Sequence, residues 1–291
     1  MKANVYQMVT DRIVEEMQKG IIPWQKPWKG AQATGEDVAI NYVTRRAYSV
    51  LNQWLLGEPG EYLTFKQATD LGGHVKKGAK ARMVVFYTKA EYKERDEQTG
   101  EEVLKSYPLL KYYHVFHLND CEGIESKIVP GEKIEFDCQP DEVAEKIIAE
   151  YVARENGLVF VNDKPSGRAY YSPSEDKVVV PMISQYEHNA EYYSTCFHEL
   201  THSTLTESRC NRVAENAKAY FGNADYSREE LVAEMGAAML CSVAGVDTAK
   251  AFRNSVAYIQ SWIAALKNDN KMIVWAAGRA EKAAKYILNE Q

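Results

Sequence analysis

Tyr6, Val9, Ile13, Val14 and Met17 recur three or four residues apart, so the chain opens on an amphipathic helix that Gly20 is placed to cap. Ile22-Pro23-Trp24-Gln25-Lys26-Pro27-Trp28-Lys29 breaks that period, because proline lacks a backbone donor and restricts the residue before it. This segment is extended or turned. A helix-compatible run at 50–56 ends before Gly57, and Thr64-Phe65-Lys66-Gln67 has capping-box spacing for a short helix closed by Gly72-Gly73. Met83 to Thr88 and Leu110 to Leu118 are β-rich runs that predict two strands. The charged stretch Glu91 to Glu102, with Thr99-Gly100 inside it, reads as an exposed hairpin excursion between them.

Residues 119–140 are rich in turn formers, with room for a short strand at 133–136, and mark a boundary. The expected organisation is an α+β fold in two domains: residues 1–125, a linker at 126–140, and residues 141–291. In the second domain Val143, Ile147, Ile148 and Tyr151 share one face of a helix from Asp141 to Asn156. Three short strands follow, at 158–161, 168–172 and 177–180, then a helix from Ala190 to about Leu205. Two closing helices, at 248–266 and 271–288, carry apolar faces that read as packing.

Charge divides the chain the same way. Its net charge is -6, yet residues 1–118 hold 17 Lys and Arg against 14 Asp and Glu, and the remainder holds 18 against 27. The first part is therefore the better match for a polyanion. No apolar run approaches a membrane span and the start lacks a leader pattern, so the expectation is a soluble, cytoplasmic protein with no membrane partner. Cys121, Cys138, Cys196, Cys210 and Cys241 are odd in number and without CxxC spacing, which argues for reduced thiols.

The sharpest chemical signal is His198-Glu199-Leu200-Thr201-His202. Four residues of separation place both imidazoles on one helical face, where they can hold one Zn²⁺, and Glu199 then sits where a carboxylate can take a proton from a metal-activated water. A surface helix with polar i, i+4 residues is the plain alternative, and the uncharged Phe197, Leu200, Thr201 and Ser203 argue against it. Catalytic zinc usually has three protein ligands. His188 precedes the motif and no histidine follows it, so the third donor is expected to be a carboxylate, and Glu230 and Glu234 lie one turn apart downstream. Alternatively, Glu230 completes a capping box with Ser227, which moves Glu234 into the ligand position. Tyr171, Tyr220 and Tyr226 are equally open as oxyanion stabilisers.

In the first half, the Pro-Trp segment, the neighbourhood of Asn41 and Arg46-Ala47-Tyr48, Asn52, Leu63-Thr64-Phe65-Lys66-Gln67 and Gly72-Gly73-His74-Val75-Lys76-Lys77-Gly78 resemble the N-terminal domain of the ArdC family of antirestriction proteins, encoded by conjugative plasmids, other mobile elements and phages. The resemblance implies single-stranded DNA binding. Interleaved aromatics and cations suit that role, since every base offers a π face and every nucleotide a phosphate; the alternative for each tryptophan is packing under the opening helix as an apolar clamp. The residues assigned to the strand are Trp24, Lys26, Trp28, Lys29, Asn41, Arg45, Arg46, Tyr48, Lys66, His74, Lys76, Lys77 and Lys80. Tyr171-Ser172-Pro173, Tyr192-Tyr193, the histidine motif, Arg209 and Glu229 to Glu234 resemble the metallopeptidase domain that accompanies it. By resemblance to zincins, Glu230 is the third ligand and Glu234 the acid that orients a ligand histidine. Two function classes follow: a DNA-binding antirestriction protein with a zinc peptidase acting on a protein substrate or restriction-system component, or a DNA-shielding protein whose zinc site is structural or vestigial. The oligomeric state is left open.

Overall fold

Asn4 caps the first helix, α1 (Val5–Gln18), by accepting the Gln7 amide, and Gly20 closes it at a left-handed φ of +81°. The computed structural model describes residues 4–25, 38–95, 102–128, 140–186, 188–212, 224–247 and 256–290, so the sequence expectations at Lys26, Trp28, Lys29, Tyr220 and 133–136 lie outside it. Helix α2 (Val50–Leu56) stops at Gly57 and α3 (Phe65–Asp70) starts on a complete Thr64–Gln67 capping box, as the spacing predicted. The strands are β1 (Ala39–Asn41), β2 (Gly60–Leu63), β3 (His74–Val75), β4 (Arg82–Arg95), β5 (Glu102–His117) and β6 (Cys121–Glu122). They form a four-stranded sheet in the order β1-β2-β5-β4 and a separate β3-β6 pair.

The β4–β5 ladder runs from Arg82 opposite Val115 to Arg95 opposite Glu102. The hairpin strands are therefore longer than expected: they continue through residues 89–95 and 102–109, because ladder hydrogen bonds join backbones and tolerate polar side chains.

The second unit contains α4 (Pro140–Arg154), β7 (Val159–Val161), β8 (Tyr170–Ser172), β9 (Lys177–Val179), α5 (Asn189–Ser203), α6 (Ala224–Ala244), α7 (Val256–Asn268) and α8 (Met272–Ile287). Its sheet has the order β7-β9-β8, with β7 parallel and β8 antiparallel to β9. Strand β8 is an edge, and α5 packs against it and β9. One apolar core is confined to this unit, around Tyr151, Phe197, Leu200 and Leu240.

A second core crosses between the units, joining Val9, Ile13, Trp24 and Trp54 to Leu231, Met235, Trp262 and Ile273. The Thr10 hydroxyl donates to the Asn270 carbonyl at 3.0 Å along the same seam. Residues 126–128 also pack onto the first unit, where the Ser126 hydroxyl donates to Glu61 at 2.7 Å. The architecture is the expected two-domain α+β arrangement, with a shared apolar core between the parts. Among the described residues no helix is long and apolar enough to cross a membrane.

Trp24 corrects one sequence expectation. Its ring is 1 % exposed, in the 3₁₀ turn Pro23–Gln25, with the Trp54 and Trp262 rings at 6.3 and 6.4 Å. The turn folds this indole into the shared core, so it offers no stacking face to a base.

Candidate metal centre

Helix α5 buries Phe197 and Leu200 and carries His198 and His202 on another face. Helix α6 crosses it closely at Gly236, where an added Cβ would lie 2.6 Å from the Thr201 side chain. Because α6 starts at Ala224, Glu230 lies well inside it, and Ser227 is not its N-cap. The capping-box alternative for Glu230 falls away.

The Nε2 atoms of His198 and His202 are 3.1 Å apart, and the Glu230 carboxylate is 3.6 Å from the first and 3.3 Å from the second. All three donors lie within 4.8 Å of one another. Two nitrogens about 2.0 Å from one tetrahedral cation stand roughly 3.3 Å apart, so the donor set and its spacing fit a zinc-like ion. Burial disfavours the charged imidazoles, yet the Glu230 carboxylate holds His198 above its ordinary pKa, and Glu229 and Glu230 together lift His202 to about 10. Against the same burial, both imidazoles hold Glu230 below the usual carboxylate range.

Glu199 is buried beside the histidines, and burial raises its carboxyl above the usual range although the backbone of Tyr171 on β8 hydrogen-bonds to it. The Tyr171 hydroxyl itself donates to Asp176 at 2.8 Å, so it is committed away from the donors. Asp176 and Glu155 hold Arg209, whose Nη1 also donates to the Ser203 carbonyl at the end of α5. This arginine fixes the helix end that carries His202.

Glu234 does not occupy the orienting position expected of it. Among the described residues it makes no hydrogen bond, and its influence on His198 is Coulombic. The carboxylate nearest the second nitrogen of a ligand is Glu229, 3.6 Å from His202 Nδ1, and it is gripped by Arg212. Sequence reasoning passed over both. Glu229 immediately precedes the proposed ligand, and Arg212 had no spacing to recommend it.

The remaining strand-binding expectations divide by environment. Asn41 forms a turn, its Oδ1 accepting the Val43 and Thr44 amides and its Nδ2 donating to the Tyr48 hydroxyl. Burial pushes that hydroxyl up to about 12. Arg45 pairs with the buried carboxylate of Glu61. Lys66 pairs with Asp70 at 3.1 Å, His74 faces Glu122 at 3.1 Å, and Lys76 donates to the Asn119 carbonyl at 2.8 Å. Arg46, Lys77 and Lys80 are exposed. The hairpin supplies aromatics that the sequence analysis did not single out: Phe86, Tyr87 and Tyr112 are 42, 55 and 36 % exposed, beside the exposed Lys111. Strand alternation gave no signal for them, since Phe86 and Tyr112 each lie two residues from a buried position, Val84 and Leu110, and so share its strand face.

Two family models match the chain. Residues 3–116 match the model of the N-terminal domain of anti-restriction factor ArdC, and residues 147–279 match that of a zincin-like metallopeptidase. A crystal structure of the antirestriction ArdC protein from plasmid R388, free of metal, superposes with a TM-score of 0.69 at 32 % identity, covering 99 % of this chain and all of that one. The Mn(II)-bound structure of the R388 protein gives 0.71 at 30 % identity, covering 99 % of this chain and 98 % of that one. A DNA primase TraC of Escherichia coli is 30 % identical over 99 % of this chain, which spans only 27 % of that primase. The match along both units to the R388 protein decides the family: this chain belongs to the ArdC antirestriction proteins.

Proposed function

We propose that the chain is an antirestriction protein of a mobile element that binds single-stranded DNA through its first unit and hydrolyses peptide bonds in a protein substrate at the His198–His202–Glu230 centre. The proposed units are residues 1–125 and 141–291, joined through 126–140. The observation that carries the reading is the convergence of two ring nitrogens and one carboxylate beside a buried glutamate. Zn²⁺ is the proposed cation, as two imidazoles and a carboxylate suit it, while the R388 relative has been seen with Mn(II).

A cation held there supplies Lewis acidity, acidifying a water and polarising a carbonyl. Glu199, whose raised pKa makes it a stronger base than an ordinary carboxylate, accepts the water proton and returns it to the leaving amine. The edge of β8, which no other strand covers among the described residues, can pair with an extended peptide and lead it past Glu199. In the first unit, the exposed hairpin aromatics and the solvated Arg46, Lys77 and Lys80 offer stacking faces and phosphate partners.

Glu199→Gln tests the catalytic part. It should bind cation with wild-type stoichiometry and lose at least about 100-fold in hydrolysis of an unfolded protein substrate. Undiminished cleavage would contradict the mechanism, and full antirestriction by the same variant would favour DNA shielding as the working activity.

A further inference from the structure

A charged pair lies behind the metal donors in a position that stability alone does not explain. Arg212 is 2 % exposed and Glu229 is buried as well. Arg212 Nε and Nη2 donate to the two Glu229 oxygens at 3.1 and 2.6 Å. Its Nη1 donates to Thr204 Oγ1 at 2.8 Å, and Nη2 also reaches the Thr201 carbonyl at 3.1 Å. That carbonyl belongs to the last turn of α5, a helix end that favours a cation, and it also accepts from the Thr204 amide and hydroxyl. Arg212 thus ties the end of one ligand-bearing helix to the next ligand-bearing helix. The Glu229 oxygen that it grips stands 3.6 Å from His202 Nδ1, on the side of the ring away from His198 and Glu230.

Desolvating two charges largely cancels their attraction, so well-packed apolar residues in such a place are often as stable or more so. What an apolar pair cannot do is fix a carboxylate against one ring nitrogen so that the other faces the cation. We propose that Arg212 and Glu229 act together as positioning residues for the metal centre, holding His202 in its ligand orientation and setting the spacing of α5 and α6. The inference rests on reading His198, His202 and Glu230 as a metal site. Arg212 supplies a rigid fork with donors at fixed angles; a lysine in its place would have a single nitrogen for the same partners.

The test is cation affinity in Arg212→Met/Glu229→Gln, which removes both charges and leaves neither orphaned. Mn²⁺ binding is read from the electron paramagnetic resonance signal of the free ion, Zn²⁺ binding by competition with a chelating dye, and the metal-free fold by its melting temperature. The expected result is a metal-free protein that still folds and binds both cations ten- to a hundredfold more weakly. A purely structural pair would lower the metal-free melting temperature and leave affinity within threefold of wild type, and that result overturns the proposal. If the double variant does not fold, Glu229→Asp serves: its shorter carboxylate stays with Arg212 and withdraws from His202. Weaker cation binding by Glu229→Asp supports the proposal, and unchanged binding overturns it. Glu230→Ala separates the two readings. If it binds cation as tightly as wild type, the metal site and the inference both fall; if it loses cation while the double variant retains it, only the inference falls.

Discussion

The α5–α6 helix pair and the β4–β5 hairpin both gather chemistry-bearing side chains, and they treat water in opposite ways. Between the helices, Glu199 and Glu229 are buried and His198, His202 and Glu230 are half-buried, and each of His198, His202, Glu229 and Glu230 lies within 3.6 Å of an opposite partner. On the hairpin, Phe86, Tyr87 and Tyr112 remain in solvent although large aromatics are usually drawn inward. A preorganised catalytic centre gains from exclusion of water, whereas a surface that stacks on a flexible strand must stay accessible. The contrast teaches that burial, more than residue type, sorts these side chains into roles.

Trp24 gives the strongest test of that lesson, because its segment left it open between strand binding and packing, and its burial assigns it to the core. Trp24→Ala should destabilise the protein by about 3–5 kcal/mol in denaturant unfolding, through the cavity left between Trp54 and Trp262. A variant of wild-type stability with weakened strand binding would return the ring to the surface and break the comparison.

Asp176 probes the scaffold of the helix pair. Burial would raise its carboxyl, but Arg209 and Tyr171 override this and hold it below the ordinary 3.8. A carboxyl depressed in the folded state stabilises above its unfolded value, and that contribution is lost as pH falls through the lower folded value. Asp176→Asn should therefore lower stability at pH 7 by about 1–2 kcal/mol, the low end for a charged hydrogen bond because Asp176 is 29 % exposed. The gap from wild type should close as pH drops below about 3.8. A gap that stays constant down to pH 2 would mean the ion pair contributes nothing.

The hairpin should show the smallest effect on stability. Tyr112→Ala is expected to change it by less than about 1 kcal/mol and to weaken binding of a single-stranded oligonucleotide by about 1–3 kcal/mol. Fluorescence anisotropy at two salt concentrations measures the affinity, and unaltered affinity would remove this ring from the proposed interface.

How far the sequence carried follows from the same contrast. The helices, the capping box at Thr64–Gln67 and the histidine pair were legible because each depends on residues within one or two turns. Glu229 was not, because its part depends on how α6 is rotated against α5. Neighbouring positions point about 100° apart on a helix, yet Glu229 and Glu230 reach opposite nitrogens of one ring, His202. The Arg45 ion pair was hidden for a related reason: its partner, the buried acid Glu61, is sixteen residues away on β2. The core shared by the two units was equally hidden, since periodicity marks an apolar face without saying which partner covers it.

Anomalous diffraction from crystals soaked in Zn²⁺ tests the metal centre most directly. One strong peak is expected about 2.0–2.2 Å from His198 Nε2, His202 Nε2 and a Glu230 oxygen, with Glu229 and Glu234 outside that distance. A peak that takes Glu234 or Glu229 as its carboxylate ligand in place of Glu230, or that lies away from both histidines, would contradict it.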